Sequence, residues 1–256
     1  DTQLDSILAN GTFKDIGGQM TYINRERRFN YGAQIAHIPI LSIGGFTSTT
    51  PSGDLQYTEI EQRIFIDQLS FLGAYPLSTT RRFEFQTGLT RYGFDRSVID
   101  FYEYPTGFRG DESSLPAPDP LYLSQTSGAY VVDYSNFGFT SPVQGGRYRL
   151  QAGMTLGSTQ YATVLADLRQ YVRVGLVTFA GRAVHVGNYG AEEGDLFSSE
   201  YLGYSFAPSY VRGYSFNSFE PEECTSPDGS CAALDRLIGT RVATVNAEIR
   251  LPLFGT

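Results

Sequence analysis

Apolar and polar residues alternate strictly along the segment from Ala243 to Leu251. The odd positions are all apolar, whereas the even positions are Thr244, Asn246, Glu248 and Arg250. Successive side chains of a β-strand point to opposite faces. The pattern therefore predicts a strand with one apolar face and one polar, charged face.

The same alternation recurs in two earlier segments. From Arg147 to Leu156 and from Ala162 to Val174, apolar residues at nearly every second position alternate with polar and charged ones. Repeated segments of about ten residues with this pattern are typical of transmembrane β-barrels, which have lipid outside and water inside. The sequence thus predicts an all-β fold, a transmembrane antiparallel up-and-down β-barrel. A soluble β-sandwich is the alternative, because its sheets also have one apolar face.

The connections between predicted strands support an up-and-down order. Short connections alternate with long ones at 44–55, 104–120 and 190–238 along most of the chain, as a barrel with turns on one side and loops on the other requires. The alternation changes phase beyond Arg91 and within 59–72, which predicts bulges or strands that extend beyond the membrane. The predicted strands are 3–13, 16–26, 30–43, 56–73, 81–102, 121–138, 146–157, 160–174, 176–189 and 239–254.

Composition agrees with a β-barrel and argues against two other classes of protein. No stretch has the ~20 consecutive apolar residues of a membrane-spanning helix, so a chain that crosses a bilayer here does so with strands. The net charge of −8 argues against a nucleic-acid surface, which needs a concentrated basic patch. The 18 Tyr and 18 Phe residues would supply the aromatic girdles of a barrel.

Two cysteines, Cys224 and Cys231, lie close together in the turn-rich sequence CTSPDGSC. Metal sites normally need four ligands, and the two histidines, His37 and His185, are distant in sequence. A disulfide formed in an oxidising compartment is therefore predicted. Calcium binding around Asp228 is the alternative, although the spacing matches no known calcium loop.

A short motif in the long connection 190–238 carries a family resemblance. The sequence Tyr210-Val211-Arg212-Gly213-Tyr214 lies in that connection, between the predicted strands 176–189 and 239–254. In this strand context the motif resembles the BamA/TamA-type outer-membrane β-barrel superfamily, the bacterial surface antigen family, and the resemblance covers roughly 139–254.

The resemblance implies a role for the motif. In that family the loop folds back into the lumen, where carboxylates on the inner wall hold its arginine. Arg212 would be the tethering residue, and Glu248 and Asp167 its candidate partners, because alternation places both on the polar face. The residues of the loop-tether motif are Val211, Arg212, Gly213 and Tyr214.

Two features depart from the family pattern. The family builds roughly sixteen strands and carries periplasmic repeats before them, whereas about ten strands are predicted here. An open sheet edge is not tolerated in lipid, so further strands or another chain must complete the barrel. The chain is expected to be one outer-membrane barrel domain over 1–256 that is incomplete at both ends.

By resemblance, the leading hypothesis is a bacterial outer-membrane barrel that assists insertion or translocation of proteins or lipids. Its expected partners are the lipid bilayer, lipopolysaccharide-type lipids and other outer-membrane proteins or a larger complex, without nucleic acid. The alternatives are a structural or scaffolding barrel without a transport role and a passive diffusion pore. No cofactor is predicted. No enzymatic activity is predicted either, because no Ser-His-Asp order surrounds His185. This histidine is expected in the lumen, on the surface or in an aromatic girdle.

Overall fold

The structure, a computed structural model, describes residues 2–8, 15–49, 55–104, 107–190, 200–201 and 238–251. These residues fold almost entirely into β-strands. None of them belongs to a helix that is long and apolar enough to cross a membrane. The strands are β1 (Thr2–Leu8), β2 (Ile16–Asn24), β3 (Asn30–Thr49), β4 (Leu55–Pro76), β5 (Arg81–Tyr104), β6 (Gly107–Ser114), β7 (Leu121–Asp133), β8 (Asn136–Phe137), β9 (Pro142–Gly157), β10 (Tyr161–Val174), β11 (Val177–Tyr189), β12 (Glu200–Tyr201), β13 (Ile238–Gly239) and β14 (Arg241–Arg250).

Most of these strands form one antiparallel sheet. Hydrogen bonds join them in the order β1-β2-β3-β4-β5-β7-β9-β10-β11-β14, while β6 pairs with β5 and β8 pairs with β9. β12 and β13 form a separate antiparallel ribbon. When β6, β8, β12 and β13 are left aside, each strand pairs with the next one along the chain. The predicted all-β, antiparallel up-and-down architecture is therefore confirmed.

The chain forms two compact units. Unit 1 comprises Asp1–Leu72 and Thr87–Ser124, and unit 2 comprises Gly73–Gln86 and Gln125–Thr256. Three strands, β4, β5 and β7, contribute residues to both units.

In unit 2 the apolar face of the sheet is exposed and the polar face is partly buried. On β14, Val245 is 84% exposed and Ile249 is 69% exposed, whereas Asn246 and Glu248 between them are half-buried. Leu168 on β10 is exposed as well. A soluble sandwich would bury these apolar side chains between two sheets. Their exposure contradicts the sandwich alternative and is the arrangement that a lipid-facing surface requires.

Three of the strands that contribute to unit 1 are much longer than a bilayer needs. β3, β4 and β5 have 20, 22 and 24 residues, whereas about 9–11 residues of a tilted strand span a membrane. Two contacts between β4 and β5, Glu61 with Ser97 and Asp67 with Arg91, fit one unbroken antiparallel register. Glu61, Asp67 and Leu69 therefore share a face that changes from charged to apolar. The change of phase therefore needs no bulge between these contacts, and the lengths of the strands fit the other predicted cause, extension beyond the membrane.

Several connections differ from the prediction. β3 continues to Thr49, inside the predicted connection 44–55, and β12 lies inside the predicted connection 190–238. β6 lies inside the predicted loop 104–120 and pairs with β5 from Tyr104↔Gly107 to Ser97↔Ser114. Its sequence, GFRGDESS, is too polar to show an alternation, so no sequence signal marked it as a strand. β9 begins at Pro142, although a turn was predicted between residues 138 and 146, and Gly145 within it adopts a φ of 93°, which glycine tolerates.

Candidate functional site

The hairpin of β10 and β11 sets the register of the side chains in unit 2. Val174 pairs with Val177, so Gly175 and Leu176 form a two-residue turn, for which Gly175 adopts a φ of 62°. We call the side of the sheet that carries the side chains of Asp167, Arg182 and Glu248 the polar face of unit 2. The opposite side, which carries Leu168 and Val245, is its apolar face.

Asp167 on β10 is the centre of a charged network on the polar face. It accepts hydrogen bonds from Nε and Nη2 of Arg169 at 3.0 and 2.5 Å, and from Nε and Nη2 of Arg182 at 3.1 and 3.0 Å. Such bidentate, charge-assisted bonds fix the orientation of all three side chains. Because two guanidiniums share one carboxylate, the trio carries a net positive charge.

A second network joins β5 to β9 on the same face. Glu84 accepts a hydrogen bond from Nη1 of Arg149 at 2.6 Å and another from Nε of Arg82 at 2.6 Å. Arg149 also donates from Nε and Nη2 to the side-chain oxygen of Gln151, at 3.0 and 2.8 Å. Here too, one carboxylate is shared by two arginines.

Two further carboxylates, Glu248 and Asp133, form ion pairs with arginines. Glu248 accepts hydrogen bonds from Nε and Nη2 of Arg250 at 3.0 and 2.8 Å, and Arg250 also donates to the carbonyl of Pro142 at 3.2 Å. Asp133 lies 3.8 Å from Nε of Arg147. Arginines thus outnumber carboxylates in the ion pairs described for unit 2, which comprise Arg82, Arg147, Arg149, Arg169, Arg182 and Arg250 with Glu84, Asp133, Asp167 and Glu248.

A protein-family model matches most of the chain, including the residues of these networks. The model, described as the Omp85 superfamily domain, matches residues 68–256. The chain belongs to the Omp85 superfamily. This confirms the resemblance to the BamA/TamA-type barrels, and members of the Omp85 family are outer-membrane proteins. No curated protein and no solved structure matches the chain.

The loop features expected of an Omp85 barrel cannot be placed in this fold. The motif from Val211 to Tyr214 lies outside the described residues, and so do Cys224 and Cys231. The tethering role of Arg212 and the disulfide therefore stay predictions.

The two carboxylates predicted as partners of Arg212 both lie on the polar face, but not side by side. Asp167 is opposite Val184, which is opposite Thr244 on β14. Glu248 lies further along β14 than Thr244, by about 13 Å at the usual rise of a strand. One loop arginine of this Omp85 chain could therefore bind Asp167 or Glu248, but not both.

Sequence reasoning missed two charged clusters in unit 1. Asp67 contacts Nδ1 of His37 at 2.5 Å and Nη1 of Arg91 at 2.8 Å, and Arg63 donates from Nε to the buried Asp15 at 3.1 Å. The partners are 24 to 48 residues apart in the chain. Only the pairing of strands brings them together. The one available signal was the charged residues that interrupt the apolar alternation of β4.

His185 lies on the apolar face of β11, directly opposite Ala243 of β14. Its Nδ1 is 3.1 Å from the carbonyl oxygen of Val242, and its Nε2 is 2.9 Å from the hydroxyl of Tyr189. Arg241 stacks over the ring of Tyr189, with its guanidinium carbon 5.0 Å from the ring centroid. Of the three positions expected for His185, this corresponds to the surface or the aromatic girdle and not to the lumen.

Proposed function

We propose that this Omp85 chain forms the barrel of a bacterial outer-membrane protein that assists the insertion or translocation of other proteins or of lipids. The observation that supports this most directly is the Omp85 match over residues 68–256. The proposed partners are the bilayer and lipopolysaccharide-type lipids along the apolar face, and other outer-membrane proteins as cargo or as members of a larger complex.

In the proposed mechanism, the two faces of the sheet have different tasks. The exposed side chains of Leu168, Val245 and Ile249 contact lipid acyl chains. This contact is favourable because it removes apolar surface from water. The polar face lines an aqueous interior, where the network around Asp167 keeps the wall rigid. A substrate strand enters at a weakly paired seam while the loop that carries Arg212 is anchored to this wall.

The network constrains how Arg212 can be anchored. Asp167 already accepts four hydrogen bonds from Arg169 and Arg182. A third guanidinium at Asp167 would have to displace one of these bonds, and anchoring at Glu248 would require it to share that carboxylate with Arg250.

A folding assay in liposomes tests the proposal. Liposomes that contain the protein are expected to accelerate the folding of an unfolded outer-membrane barrel, compared with empty liposomes and with liposomes that contain an unrelated barrel. Arg212→Ala should slow this folding, make the loop more sensitive to protease and lower the temperature at which the folded band is lost on gels. Arg236→Ala, in the same connection, is the matched control. Equal folding rates with all liposomes would contradict the proposal.

A further inference from the structure

Three arginines stand in one row across the polar face of unit 2. Arg147 on β9 is directly opposite Arg169 on β10, and Arg169 is directly opposite Arg182 on β11. Because neighbouring strands are about 4.8 Å apart, the row spans about 10 Å. Its side chains are reached by solvent, since Arg147 is 47% exposed, Arg169 32% and Arg182 24%.

Such a row carries a cost for the sheet. Like charges at directly opposite positions destabilise paired strands. Asp167 offsets the repulsion between Arg169 and Arg182, because it binds both guanidiniums. Among the described residues, Arg147 has one ion pair, with Asp133 at 3.8 Å, which is longer than a hydrogen bond. Arg147 thus places a positive charge beside Arg169, and its long, half-exposed ion pair leaves the guanidinium accessible to a ligand.

We propose that the row of Arg147, Arg169 and Arg182 is a binding site for oxyanions, namely phosphate or carboxylate groups. Planar guanidiniums bind both groups through paired hydrogen bonds. In the ion pairs described for unit 2, arginines outnumber carboxylates, and such an excess of positive charge raises the local concentration of anions. The length of the row suits two linked oxyanions, as in pyrophosphate or an acidic peptide. The site requires only the polar face, so it stands independently of the insertase activity.

Calorimetric titration of the refolded chain in a zwitterionic detergent tests the site. Pyrophosphate and hexaglutamate serve as separate probes of phosphate and carboxylate ligands. Arg147→Gln is expected to weaken binding about tenfold, because a charge-assisted contact is lost. Arg241→Gln is the matched control, since it removes the same charge from a strand end on the apolar face and should leave binding unchanged.

The outcomes identify the type of ligand and decide whether the row is a binding site. Binding of pyrophosphate alone identifies phosphate as the ligand, and binding of hexaglutamate alone identifies carboxylate. The proposal is overturned if neither probe binds, or if Arg147→Gln and Arg241→Gln weaken binding equally, since only general charge would then matter. Should Arg147→Gln not refold, Arg147→Lys keeps the charge without the planar fork. It is expected to weaken pyrophosphate binding severalfold, and unchanged binding by that variant would also overturn the proposal.

Discussion

Replacing Asp167 with asparagine is expected to destabilise unit 2, because it removes the charge that holds two arginines together. The carboxylate accepts four hydrogen bonds from Arg169 and Arg182. Asparagine has the same size, but it is neutral and one end of its amide is a donor. In the variant, the two guanidiniums would lie next to each other, and next to Arg147, without their shared counter-charge.

The exposure of these side chains sets the magnitude of the loss. Breaking a fully buried ion pair costs about 3–5 kcal/mol, whereas an exposed pair contributes about 0.2–1 kcal/mol. Asp167 is 17% exposed and its partners are 32% and 24% exposed, so each of the two pairs lies between these limits. We expect the free energy of unfolding to fall by about 2–3 kcal/mol.

Urea-induced unfolding in lipid vesicles, followed by circular dichroism, measures this change. Glu248→Gln is the control, because it removes the carboxylate that pairs with Arg250 and should cost only about 1 kcal/mol. Adding Arg182→Gln to Asp167→Asn should restore part of the lost stability, since it removes one of the like charges. A variant as stable as the native protein, or a double variant whose loss equals the sum of the single losses, would refute the reasoning.

Three further predictions concern the apolar face, a turn and the long connection. Val245→Arg is expected to cost about 2–4 kcal/mol in vesicles, because it places a charge in the bilayer; the same unfolding assay measures it, and a neutral effect would argue against lipid contact. Gly175→Ala should cost about 1–2 kcal/mol because of the positive φ, whereas Gly181→Ala, where an added Cβ meets open space, should cost nothing in that assay; equal effects would contradict the turn assignment. Cys224 and Cys231 are expected to react with a maleimide only after reduction, as mass spectrometry would show, and labelling without a reductant would exclude the disulfide.

Much of the fold could be predicted from the sequence, because the two-residue alternation of side chains in an antiparallel strand is visible within a short segment. The alternation from Ala243 to Leu251 depends only on neighbouring residues, and β14 has the two predicted faces. β6 could not be predicted, because a polar strand that pairs beyond the apolar region has no such alternation. β5 was predicted almost to its observed end, since 81–102 was expected and Arg81–Tyr104 is found, whereas β3 was expected to end at residue 43 and continues to Thr49.

The candidate site was predictable only in part, for a physical reason. Parity alone places Asp167 and Glu248 on the polar face, but their separation depends on the registers of β10 with β11 and of β11 with β14. The same registers bring Arg147, Arg169 and Arg182 into one row. A shift of one residue would move every side chain of a strand to the other face, so these contacts follow from strand pairing and not from spacing in the sequence.

Fluorescence of single tryptophan variants tests most directly whether the apolar face contacts lipid. The chain has no tryptophan, so Val245→Trp and Asn246→Trp each introduce one probe on adjacent positions of β14. In vesicles, brominated lipids are expected to quench the probe at position 245 strongly and the probe at 246 weakly, whereas a water-soluble quencher should show the opposite preference. Equal quenching of both probes by brominated lipids, or stronger quenching at 246, would contradict the account.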